Sequence, residues 1–321
     1  MNRREFVTSS VCACLATTVA RVGAPFAAEG GPITVGGKQY ASRKTFVETG
    51  RRCGTPLPSL YDIRRTQRVR SALRTNHVEF NTNTIIPVHF HVIHDGATGN
   101  LPDRQLKAQV DLLNKVYAPV LLQFQIADVG RHQNEEWYHV GISTPEETSM
   151  KTELGQETDR SLNFYTADLP DGLLGWATFP WLLWAQPRMD GVVINQMSLP
   201  GSDQPSPYDL GMTAVHEIGN WCGLLHTFEG GCLEPGDEIS DTAYEEVSAQ
   251  GCPLRQRSSC QGETRFIPVE NYMDYSDDSC MKQFTPLQVQ RMKDMVGYYR
   301  YALQPAVTRS ALLARLRKEL D

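Results

Sequence analysis

One stretch, TAVHEIGNWCGLLHTF at positions 213–228, constrains this chain more than any other. Glycines at 211 and 223 bound a helix predicted over 212–222. Residues four apart on a helix share a face, so an HExxH pattern offers two imidazoles to one metal ion. In the longer frame HExxHxxGxxH, the glycine lets the chain turn sharply and a third histidine returns to the same ion. His216, Glu217, Gly223 and His226 fill that frame, and Asn220 stands at its middle ligand position. An asparagine offers a neutral carbonyl oxygen on a shorter side chain, where borderline-soft zinc favours nitrogen or sulfur. Cys222 projects about 200° round the helix from Asn220 and reads as a small buried residue that cannot replace the ligand. The competing reading makes His216 and His226 packing histidines of a core helix.

The surrounding sequence is that of a folded domain. Its 40% apolar and 21% charged residues exclude disorder, collagen-like repeats and a coiled coil. No apolar run reaches the roughly 18 residues that would cross a bilayer. Ile86, Val88, Phe90 and Val92 alternate through IIPVHFHVIH, which is a strand pattern. Further strands are predicted at 121–129, 161–167, 173–179 and 191–195. Asp103 is expected to cap a helix whose apolar face is Leu106, Val110, Leu113 and Tyr117. Another helix starts at Thr285–Pro286 and runs to about Ala302, and a basic amphipathic helix is expected over 309–320.

Charge divides the chain unevenly. Residues 1–74 hold 13 Lys and Arg against 4 Asp and Glu, and the remainder holds 18 against 33. The acidic bulk argues against nucleic-acid binding. At the start, Arg3 and Arg4 precede the weakly apolar Val7–Ala20 and a small-residue stretch ending at Ala28. That is the layout of a twin-arginine-type signal peptide, so export is expected over 1–28. Residues 29–83 read as a basic, extended, protease-accessible leader, with the arginine-rich stretch Arg64–Arg74 as a place to cut. Export permits disulfides. Cys232, Cys252, Cys260 and Cys280 lie in a region of little periodicity, where cross-links make up for a small core. Three pairings are open to them; zinc binding by all four is the weaker reading, because none forms a CxxC pair. Asp237, Glu238, Asp241 and Thr242 form either a calcium-type oxygen cluster or a solvated acidic loop.

The helix motif, LNFYTADLPDGLLGWATFP at 162–180, DGVVIN at 190–195, the cysteine region and NYMDYSDDSC at 271–280 together resemble the pappalysin family of metzincin metalloendopeptidases. The resemblance covers about residues 84–303, the expected catalytic domain, with 304–321 as a C-terminal helix. It implies a mixed α/β (α+β) fold: a twisted, mixed five-stranded sheet with two long helices above an irregular, disulfide-linked lower half, and a cleft between. It makes His216, His226 and the Asn220 position the zinc site, Glu217 the general base, Met273 the packing floor of the methionine turn, and Tyr275 the oxyanion donor. Leu173–Phe179 becomes the edge strand for substrate, and the cysteines pair as Cys232–Cys260 and Cys252–Cys280. Calcium at Asp237, Asp241 and Thr242 matches some relatives. Cys53, in RRCGT, resembles the family's cysteine switch, the alternative being an unpaired surface cysteine. Asp277 and Asp278 flank the specificity pocket, favouring basic side chains. The function implied is that of an exported, zymogenic zinc metalloendopeptidase acting on proteins or peptides. The alternatives are an inactive pseudoprotease that binds extended peptides, or an exported structural domain.

Overall fold

Residues 33–35, 38–41, 52–203 and 206–304 are described by a computed structural model; the signal-peptide and C-terminal-helix expectations lie outside them. A short hairpin, β1 (Ile33–Val35) with β2 (Lys38–Tyr40), precedes the main body. The alternating run becomes β3 (Thr84–His94), the longest stretch of the sheet centre. Around it lie β4 (Leu122–Gln133), β5 (Leu162–Ala167), β6 (Gly175–Ala177) and β7 (Val192–Asn195). The order is β4-β3-β5-β7-β6, parallel except for the antiparallel edge strand β6. The expected mixed five-stranded sheet is therefore present.

Ile86, Val88, Phe90 and Val92 are fully buried and meet the apolar faces of α2 (Asp103–Tyr117), α5 (Met212–Trp221) and α6 (Pro286–Tyr299) in one core. Tyr117 ties α2 to α5 by donating its hydroxyl to the Val215 carbonyl at 2.6 Å. At the far end of α5, Arg300 makes two 2.8 Å bonds to Asp190 and lies 3.6 Å over the Trp221 ring. Trp221 Nε1 donates to the same carboxylate at 3.0 Å. Two short helices, α3 (Glu135–Tyr138) and α4 (Pro145–Leu154), lie outside the predicted set.

Two expectations are corrected. Asp103 is the first residue of α2, not its cap; Pro102 holds the cap position without a side-chain bond, and Asp103 pairs with Arg131. The arginine-rich stretch is not extended. It forms α1 (Leu60–Thr75), opened by a Ser59–Asp62 capping box. Val69, Ala72 and Leu73 bury against Phe80, Trp181, Leu225, Met295 and Tyr299, while Arg70 lies 3.7 Å from Asp294 on α6. Arg64, Arg68 and Arg74 face solvent. Within 64–74 the five arginines outnumber the three apolar residues and mask the helical repeat.

Below the sheet, the chain from Thr227 to Gln283 contains no strand or α-helix among the described residues. Cys232–Cys260 and Cys252–Cys280 cross-link it. The turn at 271–275 is pinned to the start of α6, where Thr285 and Gln288 form a capping box. Asn271 and Gln288 exchange amide bonds of 2.8 and 3.1 Å, and Asn271 Oδ1 accepts from Met273 N at 2.9 Å.

Candidate metal centre and cleft

Helix α5 carries His216 and Glu217 along the floor of the sheet, then stops at Gly223. That glycine has φ +93°, and a Cβ there would lie 2.7 Å from Met295 Cγ. Only a residue without a side chain turns the chain so tightly against α6. Leu224 N donates to Gly219 O at 2.9 Å, and three residues after the turn His226 arrives beside His216. The two rings stack at 5.0 Å between centroids. Beneath them sits Met273, fully buried; its sulfur occupies the space a side chain at Gly219 would need, 2.5 Å from an ideal Cβ.

Both imidazoles are buried, and both Nε2 atoms lack a hydrogen-bond partner. His216 Nδ1 donates to the Tyr272 carbonyl at 2.8 Å, which leaves the Nε2 lone pair free. Burial lowers both pKa values: that of His226 to about 4, and that of His216 further below the ordinary range, with the His226 and Arg52 charges adding to it. Neutral imidazole is the form that binds a metal. Cys53 Sγ completes the group, its sulfur and the two ring nitrogens all lying within 4.8 Å of one another. Among the described residues this is the one cluster of three or more His, Cys, Asp or Glu able to hold a metal ion. Two orphaned nitrogens and a sulfur fit zinc.

Glu217 Oε2 is crowded with donors: Thr55 Oγ1 at 3.0 Å, Asn220 Nδ2 at 3.3 Å and Cys53 Sγ at 3.4 Å. Burial pushes its carboxyl up to about 7 against these bonds. Asn220 is fully buried and turned into the site, with Nδ2 also 3.6 Å from Cys53 Sγ, while its Oδ1 has no partner. Tyr275 packs its ring against His216, His226 and Phe228, and burial holds its phenol well above the usual range.

Residues 52–55 of the leader run along the sheet edge as a further strand would. Cys53 bridges in parallel to Gly175. Leu174 N donates to Arg52 O at 2.9 Å, Gly54 N to Gly175 O at 2.8 Å, and Ala177 N to Thr55 Oγ1 at 2.9 Å. Arg52 is buried in a pocket of its own. Its guanidinium lies 4.3 Å from the Tyr208 ring centroid, donates to the carbonyls of Tyr275 and Ser276, and comes within 3.6 Å of Asp278 Oδ1. Asp278 Oδ2 in turn accepts from Leu210 N and Met212 N at the start of α5.

Sequence reasoning missed Arg52, Thr55 and Tyr208. The available signal was an arginine next to Cys53 and an acidic pair, Asp277 and Asp278, beside the expected specificity pocket. Other candidates lie elsewhere. Cys222 is buried in the core, its thiol pushed up to about 12 by burial. His89 pairs with Asp128 and His91 with Asn163, both on the sheet. The expected calcium set does not assemble as a cluster of free oxygens. Asp237 is taken up by Thr242 Oγ1 at 2.8 Å and Ile239 N at 3.0 Å. Asp241 instead serves the start of α6, accepting from Thr285 Oγ1 at 2.7 Å and Leu287 N at 3.0 Å.

Comparison with known proteins agrees with this architecture. Residues 153–297 match the Peptidase M43 family model, described as pregnancy-associated plasma protein-A. An extracellular metalloprotease of Pyricularia oryzae is 36% identical over 264 residues, covering 79% of this chain and 91% of that protein. A promirolysin variant from Tannerella forsythia superposes with a TM-score of 0.67 at 27% identity, over 81% of this chain and 99% of the other. Mature mirolysin in complex with a cleaved peptide gives a TM-score of 0.59 at 27% identity, over 70% of this chain and 98% of the other. Among the described residues no helix is long and apolar enough to cross a membrane. With this fold, these relatives and a histidine pair in the cleft, the chain belongs to the pappalysin family of metzincin metalloproteases.

Proposed function

We propose that the chain is an exported zinc metalloendopeptidase that hydrolyses peptide bonds in proteins, with a signal peptide over 1–28, a latency segment over 29–83 and a catalytic domain over 84–303. The observation that carries this is the stacked pair His216 and His226, buried with free Nε2 atoms beside Glu217. His216 and His226 would hold zinc, which when bound would supply Lewis-acid activation of water and of the scissile carbonyl. Glu217, freed of Thr55 and Cys53, takes the proton of the attacking water at Oε2 and delivers it to the leaving nitrogen. The Tyr275 phenol, kept protonated by burial, donates to the oxyanion as it develops. Strand β6 offers backbone groups to an extended substrate, as it does to residues 52–55. The Arg52 pocket, closed by Asp278, accepts a basic side chain. In this reading the leader is inhibitory because it fills the edge, the pocket and the Glu217 carboxylate together.

The test is cleavage of an unfolded protein by the leader-free chain in the presence of zinc. Activity should be abolished by a chelator and fall about 10²–10⁴-fold in Glu217→Gln. A second reading, a pseudoprotease that binds extended peptides without cutting them, is favoured by Asn220. If Asn220→His cleaves and the natural chain does not, the pseudoprotease reading replaces the enzyme.

A further inference from the structure

Helix α1 covers an apolar groove that the catalytic domain keeps when residues 29–83 leave. Val69, Ala72 and Leu73 lie there against Phe179, Trp181, Leu225, Met295 and Tyr299. The groove backs the metal site: Leu225 precedes His226, and Met295 closes on Gly223, whose turn delivers that histidine. Its acidic rim engages α1 through Asp294, 3.7 Å from Arg70, and Glu238, which accepts from Gln67 Nε2 at 2.6 Å. Loss of α1 alone would open this apolar surface to water behind the turn.

The sequence holds a second segment that fits the same groove. Arg70-Ser71-Ala72-Leu73 supplies the ion pair of α1 and two of its three apolar contacts, and it recurs as Arg309-Ser310-Ala311-Leu312. Leu316 would extend that face by one helical turn. Arg309, Arg315, Arg317 and Lys318 give the segment the charge that the rim attracts. Direction agrees as well. Arg65 lies 5.6 Å from the Tyr299 ring and Arg70 beside Asp294, so α1 runs antiparallel to α6. Tyr301 packs against the groove, and Gln304, the last described residue, has the extended backbone of a cap residue just before Pro305. A helix begun at Pro305 and folded back along α6 takes the direction of α1. Gln304 and Arg309 are separated by the same number of positions as Tyr299 and Asp294, which brings Arg309 level with the acid.

We propose that residues 305–320 take the place of α1 in this groove once the leader is released, so that the chain carries its own replacement for the helix that activation removes. The inference rests on the reading of 29–83 as a removable latency segment. It adds that the turn leading to His226 is backed by one helix before activation and by another after it.

The full chain, with a specific protease site built into the exposed residues 81–83, tests this by hydrogen exchange before and after the cut. After the cut the leader should dissociate, and amide exchange over 309–316 should slow at least about 10-fold, as for a helix seated on a packed face. Leu312→Asp should abolish that protection and speed exchange around Leu225 in the cut chain, while the uncut chain is unaffected. Arg309→Glu should weaken the protection, and Asp294→Arg added to it should restore it, which separates docking in this groove from loss of the fold. If the leader leaves and 309–316 exchanges as fast as before, the inference falls and the latency reading stands. The same holds if the groove is protected only in a species of doubled mass, with a second copy as its occupant. Protection that survives Leu312→Asp also overturns the inference. A cut leader that stays bound, with α1 still protected, overturns both.

Discussion

Above the cleft, β3, β5 and β7 carry Val88, Phe90, Phe164, Val192 and Ile194 fully buried against α2, α5 and α6. Below it, residues 227–283 have no such layer. Their order comes from Cys232–Cys260 and Cys252–Cys280, and from carboxylates that accept backbone and hydroxyl bonds, as Asp274 does from Ala249 N and Tyr275 N. The upper half is stabilised by removing apolar surface from water, the lower by restricting the unfolded chain and by satisfying buried polar atoms. The two halves meet at the cleft, where His216 comes from one wall and Met273, Tyr275 and Asp278 from the other. The difference predicts that redox conditions act on one wall and leave the other in place.

The largest effect tests that division directly. Each disulfide joins cysteines 28 positions apart, which corresponds to about 3–4 kcal/mol of restricted chain entropy. Reduction and alkylation should expose residues 228–283 to proteolysis and hydrogen exchange while β3, β5 and β7 stay protected. Loss of protection in the sheet at the same reductant concentration would mean that the upper half depends on the cross-links as well.

The next effect belongs to the upper half. Asp190→Ala leaves the Arg300 guanidinium buried without its partner and Trp221 Nε1 without its acceptor. The expected cost is about 3–5 kcal/mol, read as a lowered melting temperature. It should be equal in oxidised and reduced protein, because the network touches neither disulfide. A cost that vanishes on reduction would mean the two halves unfold as one.

The same contrast explains what was legible in the sequence. Alternation announced β3, and the Leu106, Val110, Leu113 repeat announced α2, because each buries one face and exposes another. Helix α1 escaped notice because Val69, Ala72 and Leu73 lie among arginines that reach solvent on the other face. In the site, His216, Glu217 and His226 follow from helical spacing and one glycine turn. The orientation of Asn220 does not, since its amide faces Cys53 and Thr55, far away in the chain, as well as Glu217 on its own helix. The lower half has no period to read. Its turns are fixed by long-range bonds such as Asn271 to Gln288, and the cysteine pairing came from family resemblance, not from spacing.

The smallest effect comes from the buried carboxyls of the lower half. Burial pushes the Asp237 carboxyl from its ordinary 3.8 up to about 7, in spite of the bonds from Thr242 and Ile239. Between those two values the folded chain holds a proton that the unfolded chain has released. The associated stability is therefore present below about pH 4 and is lost as pH rises through about 7. Glu245 and Asp274, both pushed up by burial, lie in the same half and act in the same direction. Asp237→Asn keeps an acceptor oxygen for Thr242 and Ile239 but has no proton to lose. It should flatten the fall in melting temperature between about pH 5 and 7, removing at most about 1.4 kcal/mol per pH unit. An unchanged slope would mean that Asp237 is ionised throughout, stabilised by a cation or by the charge of Arg291 on α6, and that the lower half owes less to buried neutral acids than to its cross-links.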